Sequence, residues 1–475
     1  MIVKNKRWSE EEFFKVRKEV LSQWHTGKEI EDINEGIEYV KKLPKEKTVP
    51  FRAKMLEEED RAEITLMLGV ATIELMRDHL AYLEDLRPQW AWHPDTWTRS
   101  RQFERVEQAI ERSKKEGRSV INGYPIINHG VKKTRELVES ITGSVSFNVS
   151  DRDTRLQAEM CCASGITSIC THSLNDIAQH HKDCPLDEKI WYAQYNARLA
   201  AYYTEHGAPI ACDIPGNFTG WDMPGFRMAD AILEVLLTAE QGAKVITSSL
   251  DLGLNLIQDV AAYRTYKKLG REYLDKFGYR DVAFYVRSDG WLGDHPIDQG
   301  RANALVAWQV IIPVLAGVHR IFLKSVDEAV SLTTKEGNRM ALMNARQLLI
   351  MMGSQRLPEG PELKLEMEMM EKEVKAIVDK VIEVGDGDVA VGMVKAVEYG
   401  ILDTQFSPWR HFKGKVLLVR DAQGAIRYLN HAGLPLPKEV IEYHKEKIAE
   451  RERKEKRKAD IEWVIENVTM VSQPF

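Results

Sequence analysis

The sequence predicts an α/β protein: a (β/α)8 TIM-type barrel with an N-terminal helical arm and a C-terminal α+β extension. Three observations predict it. Short apolar or β-branched runs alternate with longer stretches of helical periodicity. The runs are apolar on both faces, as strands of a covered parallel sheet are. There are eight of them, each leading into a helix, which is the count of a closed barrel. An open doubly wound sheet shares the alternation, but no GxGxxG or GxxxxGK[ST] fingerprint follows any run.

The arm occupies residues 1–50 and reads as two amphipathic helices. Ser9 is placed as an N-cap with Glu12 three positions on, a capping box opening a helix that runs to about Trp24. The barrel is assigned to residues 51–355, with strands in the runs 62–70, 118–124, 144–149, 165–171, 207–214, 243–250, 281–288 and 318–325. Helices follow, for example over 224–241 and 301–316. The extension, 356–475, opens with a long charged helix over 361–383 and a glycine-punctuated segment over 384–400. A hairpin is expected over 415–430 around Ala422-Gln423-Gly424. From Lys445 to Lys458 twelve of fourteen residues are charged with both signs, which reads as a solvated helix.

Composition narrows the function. The 475 residues are 44% hydrophobic and 29% charged, globular values that exclude a disordered or low-complexity chain. A formal net charge of −6 argues against a surface that coats nucleic acid. The start, MIVKNKRWSEEEFF, has no basic segment followed by an apolar core, and no run approaches the roughly 18 apolar residues of a membrane span. A cytoplasmic protein without membrane or nucleic-acid partners is expected. Five clustered cysteines (Cys161, Cys162, Cys170, Cys184 and Cys212), an odd number, suit a reducing compartment rather than a disulfide framework.

In a parallel barrel, chemistry collects at the C-terminal ends of the strands. That rule selects Met67 and Gly69, Asn122, Asn148, then Cys170, His172 and the loop to Cys184, and later Asp213, Asp251, Asp289 and Lys324. Trp90, Trp92 and Trp97 lead into Arg99 and Arg101 and form either a lid or, as favoured here, a packed surface cluster. Cys170, His172, His180, His181 and Cys184 lie within fifteen residues and suggest zinc, but the spacing fits no strong zinc pattern and Asp176 interrupts it. No metal ligand is assigned.

The ordered text of the chain resembles one family. KNKRWSEEEF at 4–13, TGKE at 26–29, GRSVINGYP at 117–125 and RLQAE at 155–159 carry the likeness. LTAEQGAKVIT at 237–247, IQDVAA at 257–262, TKEGN at 334–338 and GDGDVAVGMVKA at 385–396 continue it. These stretches resemble the large (epsilon) subunit of glutamate mutase, also called methylaspartate mutase, from the first helix to about residue 440. The resemblance implies a barrel closed by the adenosylcobalamin of a separate small subunit with a Rossmann-like fold and a DxHxxG motif, and an assembly with two copies of each chain is expected. No DxHxxG occurs in this chain; the nearest text, GDHPIDQG at 293–300, has the wrong spacing. The implied chemistry begins with homolysis of the cofactor's Co–C bond, hydrogen abstraction from substrate and rearrangement of the carbon skeleton.

Carried over by position, the resemblance implies that Lys324 and Glu328 hold the adenosyl ribose, with Gly69 and Asn122 beside the nucleoside. Without the resemblance, Lys324 and Glu328 are simply an exposed pair four residues apart. The substrate half departs from the family. Of three arginines that grip the two carboxylates of glutamate, Arg99 matches one, while Met67 and Asn148 stand at the other two positions. Cys170 replaces a glutamate that meets the substrate amine, and Asp176 and His180 replace two tyrosines. Neither Met nor Asn replaces the charge of an arginine, and a buried carboxylate needs a partner. A mutase acting on a monocarboxylic acid is therefore expected. True glutamate mutase, with Arg101 or Arg152 swinging in, a metal-dependent barrel hydrolase using the Cys/His loop, and a non-catalytic relative stay open. Asp176 takes the amine, or the substrate carries none.

Overall fold

Eight short strands, each parallel to the next, close on themselves in chain order in the computed structural model, which describes residues 3–148, 150–216, 221–330 and 332–473. Residues 1–2 of the expected arm, Val149 of the expected run 144–149, and residues 474–475 lie outside the described residues. The strands are β1 (Glu63–Leu68), β2 (Gln89–Trp92), β3 (Val145–Phe147), β4 (Ser168–Cys170), β5 (Ala211–Pro215), β6 (Val245–Asp251), β7 (Ala283–Gly290) and β8 (Arg320–Leu323). Closure is made by β8 on β1, with Arg320 beside Glu63 and Leu323 beside Leu66.

One strand differs from the sequence reading. The run 118–124 is not a strand; the second strand is Gln89–Trp92, with all four residues buried. Trp90 and Trp92 are thus barrel-wall residues, not a lid or a surface cluster. Segment 118–124 is a loop laid over the ends of β1 and β2. Gly117 and Gly123 stand at positive φ, 63° and 148°, which breaks an extended run at both ends. Tyr124 donates its N–H to the His93 carbonyl at 2.7 Å, and Asn122 bridges to Val70. A β carbon on Gly123 would stand 2.2 Å from the Asp95 nitrogen, so only glycine lets the loop lie this close.

The barrel interior is polar. Arg287 on β7 is buried and donates twice to Asp213 on β5, at 2.9 and 2.6 Å, and also pairs with Asp289. Thr247 on β6 donates to the same Asp213. Asp213 is consequently engaged inside the barrel and not free for chemistry, and Asp251 is likewise held by buried Arg227.

The arm begins as expected. Ser9 and Glu12 form the full capping box, although the helix they open, Glu10–Leu21, ends three residues short of Trp24, and a 3-10 helix, His25–Ile30, follows. Its Arg17 is buried and bonded to Glu159 at 3.0 Å, docking the arm on the helix Arg155–Ala163. The helix Pro224–Glu240 is buried almost all round. The cause lies in the extension: the helix Pro361–Val384 packs across it and across Leu256–Lys276, and their apolar residues form one core. Beyond it come the helix Val389–Tyr399 and the hairpin of β9 (Leu417–Arg420) with β10 (Ile426–Asn430), antiparallel. The charged run lies on the helix Lys438–Glu455, which buries only Val440, His444 and Ile448. Among the described residues, no helix is long and apolar enough to cross a membrane.

Arg427 fastens the hairpin. Fully buried, it forks onto Glu366 of the long helix at 2.6 and 2.9 Å and reaches Asp421 at 2.8 Å. Arg427→Met leaves two buried carboxylates without their cation. Urea unfolding is expected to show a loss of about 3–5 kcal/mol; a loss below about 1 kcal/mol would show the pair to be dispensable.

Candidate active site

A cavity of about 240 Å³ opens at the C-terminal ends of the strands. Met67 of β1, Asn148 after β3, Asp289 of β7 and Lys324 after β8 contribute to its wall, with Arg99, Asp176 and His180 from the connecting loops. Six of the ten site residues assigned through the resemblance therefore meet in one place, Met67, Arg99, Asn148, Asp176, His180 and Lys324, and the strand-end candidates His172 and Asp289 join them. Gly69, Asn122, Cys170 and Glu328 lie outside the lining.

Arg99 arrives on the single helical turn Thr96–Arg99 that follows β2. Asp95 caps that turn, accepting from the N–H groups of Trp97 and Thr98 at 2.8 and 3.1 Å and from the Thr98 hydroxyl. The guanidinium has no hydrogen-bond or ion-pair partner among the described residues, and its Nε is buried unpartnered. Burial lowers its pKa from the ordinary arginine value, with Asp176, Asp95 and Asp151 acting the other way. It is the unpaired cation of the cavity wall among the described residues.

Asp176 and His180 stand on the helix Leu174–His180. Its N-terminus lacks a cap from its own Ser173. Glu234 of the neighbouring helix takes that place, its carboxylate accepting from Ser173 N, Ser173 Oγ and Leu174 N at 2.8, 2.6 and 2.8 Å. Asp176 is fully buried and pairs with equally buried Lys189 at 2.6 Å; Ser150 donates to it at 2.8 Å and His180 lies 3.4 Å away. Burial opposes its ionisation, but Lys189 overrides burial and holds the carboxyl well below the usual range.

Lys324 pairs with Glu328 at 2.8 Å, the carboxylate one-third exposed at the cavity rim. Burial raises the Glu328 pKa, but Lys324, then His295 and His93, more than compensate and leave it lowered. Gly69 has a packing reason as well: a β carbon there would stand 2.7 Å from Gly123 Cα. Asn122 is exposed on the same loop. Cys170 is buried, its thiol donating to the Phe147 carbonyl. The Cys/His loop does not converge: Cys184 bonds to Pro185, His172 to Asn175, and among the described residues no three His, Cys, Asp or Glu side chains could hold a metal ion. Arg101 donates to the Asp153 carbonyl, and Arg152 forks onto Glu188 at 2.9 and 3.0 Å, so both are engaged elsewhere.

Sequence reasoning missed His93, Asp151, Lys189 and His295. His93 immediately follows β2 and lines the cavity; the strand-end rule finds it once that strand is placed. Burial, reinforced by Arg99, pushes its pKa down to about 4, so it is neutral at neutral pH. His295 belongs to the GDHPIDQG stretch, and its Nε2 is buried without a partner near Lys324 and Glu328.

A closed parallel barrel with a polar, partly charged cavity at its C-terminal face has the layout of a TIM-barrel enzyme. Residues 43–474 match the family described as methylaspartate mutase E chain (MutE), and the chain belongs to that family of mutases. It is similar to the "Glutamate mutase epsilon subunit" of Yersinia enterocolitica, 35% identical over 99% of this chain and 98% of that one. The proteins of that name from Treponema denticola and Haloarcula marismortui are 34% and 32% identical, over 99% and 98% of this chain and 97% and 95% of theirs.

Asp151 gives the cavity a pH dependence. Burial raises its carboxyl to about 8 despite Arg101 and Lys189, so it is neutral at pH 7. Above about pH 8 it ionises and sets a negative charge beside Arg99, which weakens any bound carboxylate. Ligand-observed NMR with butyrate is expected to show affinity falling above pH 8 in the natural chain and holding level in Asp151→Asn. Identical profiles would remove Asp151 from this role.

Proposed function

We propose that this chain is the large catalytic subunit of an adenosylcobalamin-dependent carbon-skeleton mutase whose substrate is a monocarboxylic acid. The observation that carries the reading is the charge inventory of the cavity. Arg99 lacks a partner among the described residues, whereas Lys324 and Asp176 are both paired. One carboxylate satisfies Arg99; a second would enter a wall of Met67 and Asn148 with no cation to meet it. True glutamate mutase requires such a cation, and both candidate arginines are committed elsewhere.

The residues at the rim suit the cofactor. Lys324 donates and Glu328 accepts, a donor set matched to the two hydroxyls of a ribose, and the pair is partly open at the mouth. Adenosylcobalamin supplies the radical chemistry when bound. The chain's own residues orient and shield: Arg99 grips the carboxylate, Met67, Leu292 and Phe322 present apolar surface to the rest of the acid, and Asp176 and His180 form a polar wall. The curated relatives are named as epsilon subunits. By that likeness we assign this chain a small partner carrying DxHxxG, in a cytoplasmic assembly with two copies of each chain.

Reconstitution with that partner and the cofactor, and a panel of mono- and dicarboxylic acids followed by NMR, tests the reading. L-glutamate and 3-methylaspartate are expected to be poor substrates, and Arg99→Lys to weaken binding because it loses the fork while keeping the charge. Efficient turnover of L-glutamate would overturn the altered substrate. Lys324→Met and Glu328→Ala are expected to lower turnover about 100-fold with the fold intact, by misplacing the nucleoside. Unchanged turnover in both would remove the cofactor assignment.

A further inference from the structure

Lys189 does not line the cavity, yet it stands behind one of the residues that do. It projects from the helix Leu186–Glu205, is fully buried, and makes two bonds: an ion pair to Asp176 at 2.6 Å and a donated hydrogen bond to the Asp151 carbonyl. Asp176 and Arg99 share the wall of the same cavity, and among the described residues Arg99 has no partner of its own. A buried carboxylate and a guanidinium with a buried Nε in one small cavity would ordinarily neutralise each other. Here the carboxylate is already taken.

We infer that Lys189 is a positioning residue that decides the charge of the substrate this cavity accepts, by holding Asp176 and so leaving Arg99 free for the substrate's carboxylate. The inference rests on the reading of Arg99 as the carboxylate site, and it deepens that reading. Arg99 and Lys189 carry two positive charges and Asp176 one negative charge, so this trio has one positive charge left over, matching a mono-anion. Lys189 sets that remainder from outside the cavity. Asp176, neutralised, is left to act as a polar surface beside His180 rather than as a counter-ion for an amine. The substrate class this selects is a monocarboxylic acid with a neutral hydrogen-bonding group.

The test is butyrate and glutarate binding to the full chain at pH 7 by ligand-observed NMR, with circular dichroism as the check on folding. Lys189→Met is expected to weaken butyrate about tenfold or more, the range of a charged hydrogen bond, as Asp176 turns to Arg99. The double variant Lys189→Met with Asp176→Asn is expected to restore it, a rescue that a purely structural lysine would not show. Lys189→Arg, which keeps the charge that holds Asp176, is expected to keep butyrate binding, and this variant decides the matter if Lys189→Met does not fold. Loss of butyrate in folded Lys189→Arg, or unchanged butyrate in folded Lys189→Met, would overturn the inference. So would a folded double variant that stays as weak as Lys189→Met. Arg99→Met is the separate arm: if it leaves butyrate binding intact, the assignment of Arg99 fails whatever Lys189 does. Glutarate binding as tight as butyrate in the natural chain would overturn the single-anion reading itself.

Discussion

Taking an ion out of water costs several kcal/mol unless a partner and hydrogen bonds accompany it, and this barrel buries ions at every level. Arg287 with Asp213 fills the interior, Arg227 with Asp251 stands at the end of β6, and Arg427 with Glu366 ties down the hairpin. Lys189 with Asp176 continues the pattern next to the cavity. In the cavity wall Arg99 departs from that pattern, its Nε buried without a partner and its guanidinium beside the open volume, where an anion can reach it. Among the described residues that line the cavity, the site is thus defined less by a concentration of polar groups than by one guanidinium without a partner.

The support behind the site follows the same economy of contacts. Two short helices carry its key side chains, and neither is long enough to be stable alone. Thr96–Arg99 is closed by the carboxylate of Asp95, and Leu174–His180 by Glu234 reaching across from another helix. Burial raises the Glu234 pKa, while its bonds to Ser173 and Leu174 draw it back. Through such caps the rigid barrel fixes the angles of Arg99, Asp176 and His180.

Much of the architecture was legible in the sequence because repetition survives local error. Eight runs, their two-sided apolarity and the helices between them define a barrel even though one run was misplaced. The misplaced strand shows where periodicity fails: Gln89–Trp92 is only four residues, too short to display alternation, while 118–124 offers β-branched residues in a loop. That single error hid His93. The strand-end rule gave Lys324, and the family resemblance gave Arg99 and Glu328, but neither could give Lys189 or Asp151, because a buried partner is set by packing between elements distant in sequence. Lys189 lies in the first turn of a long helix, where its text is that of any exposed lysine.

The helix Pro224–Glu240 is apolar on the face that a barrel helix normally turns to water, since Pro361–Val384 lies over it. This has a consequence for biosynthesis. The last barrel strand ends at Leu323, so the ring has all its strands long before residue 384 leaves the ribosome. In that interval the newly closed barrel carries a bare hydrophobic flank, shielded only when the extension emerges and folds back. Nascent chains of this length are the ones a chaperone would hold, and a chain cut short at the end of the barrel would stick to its neighbours rather than fold.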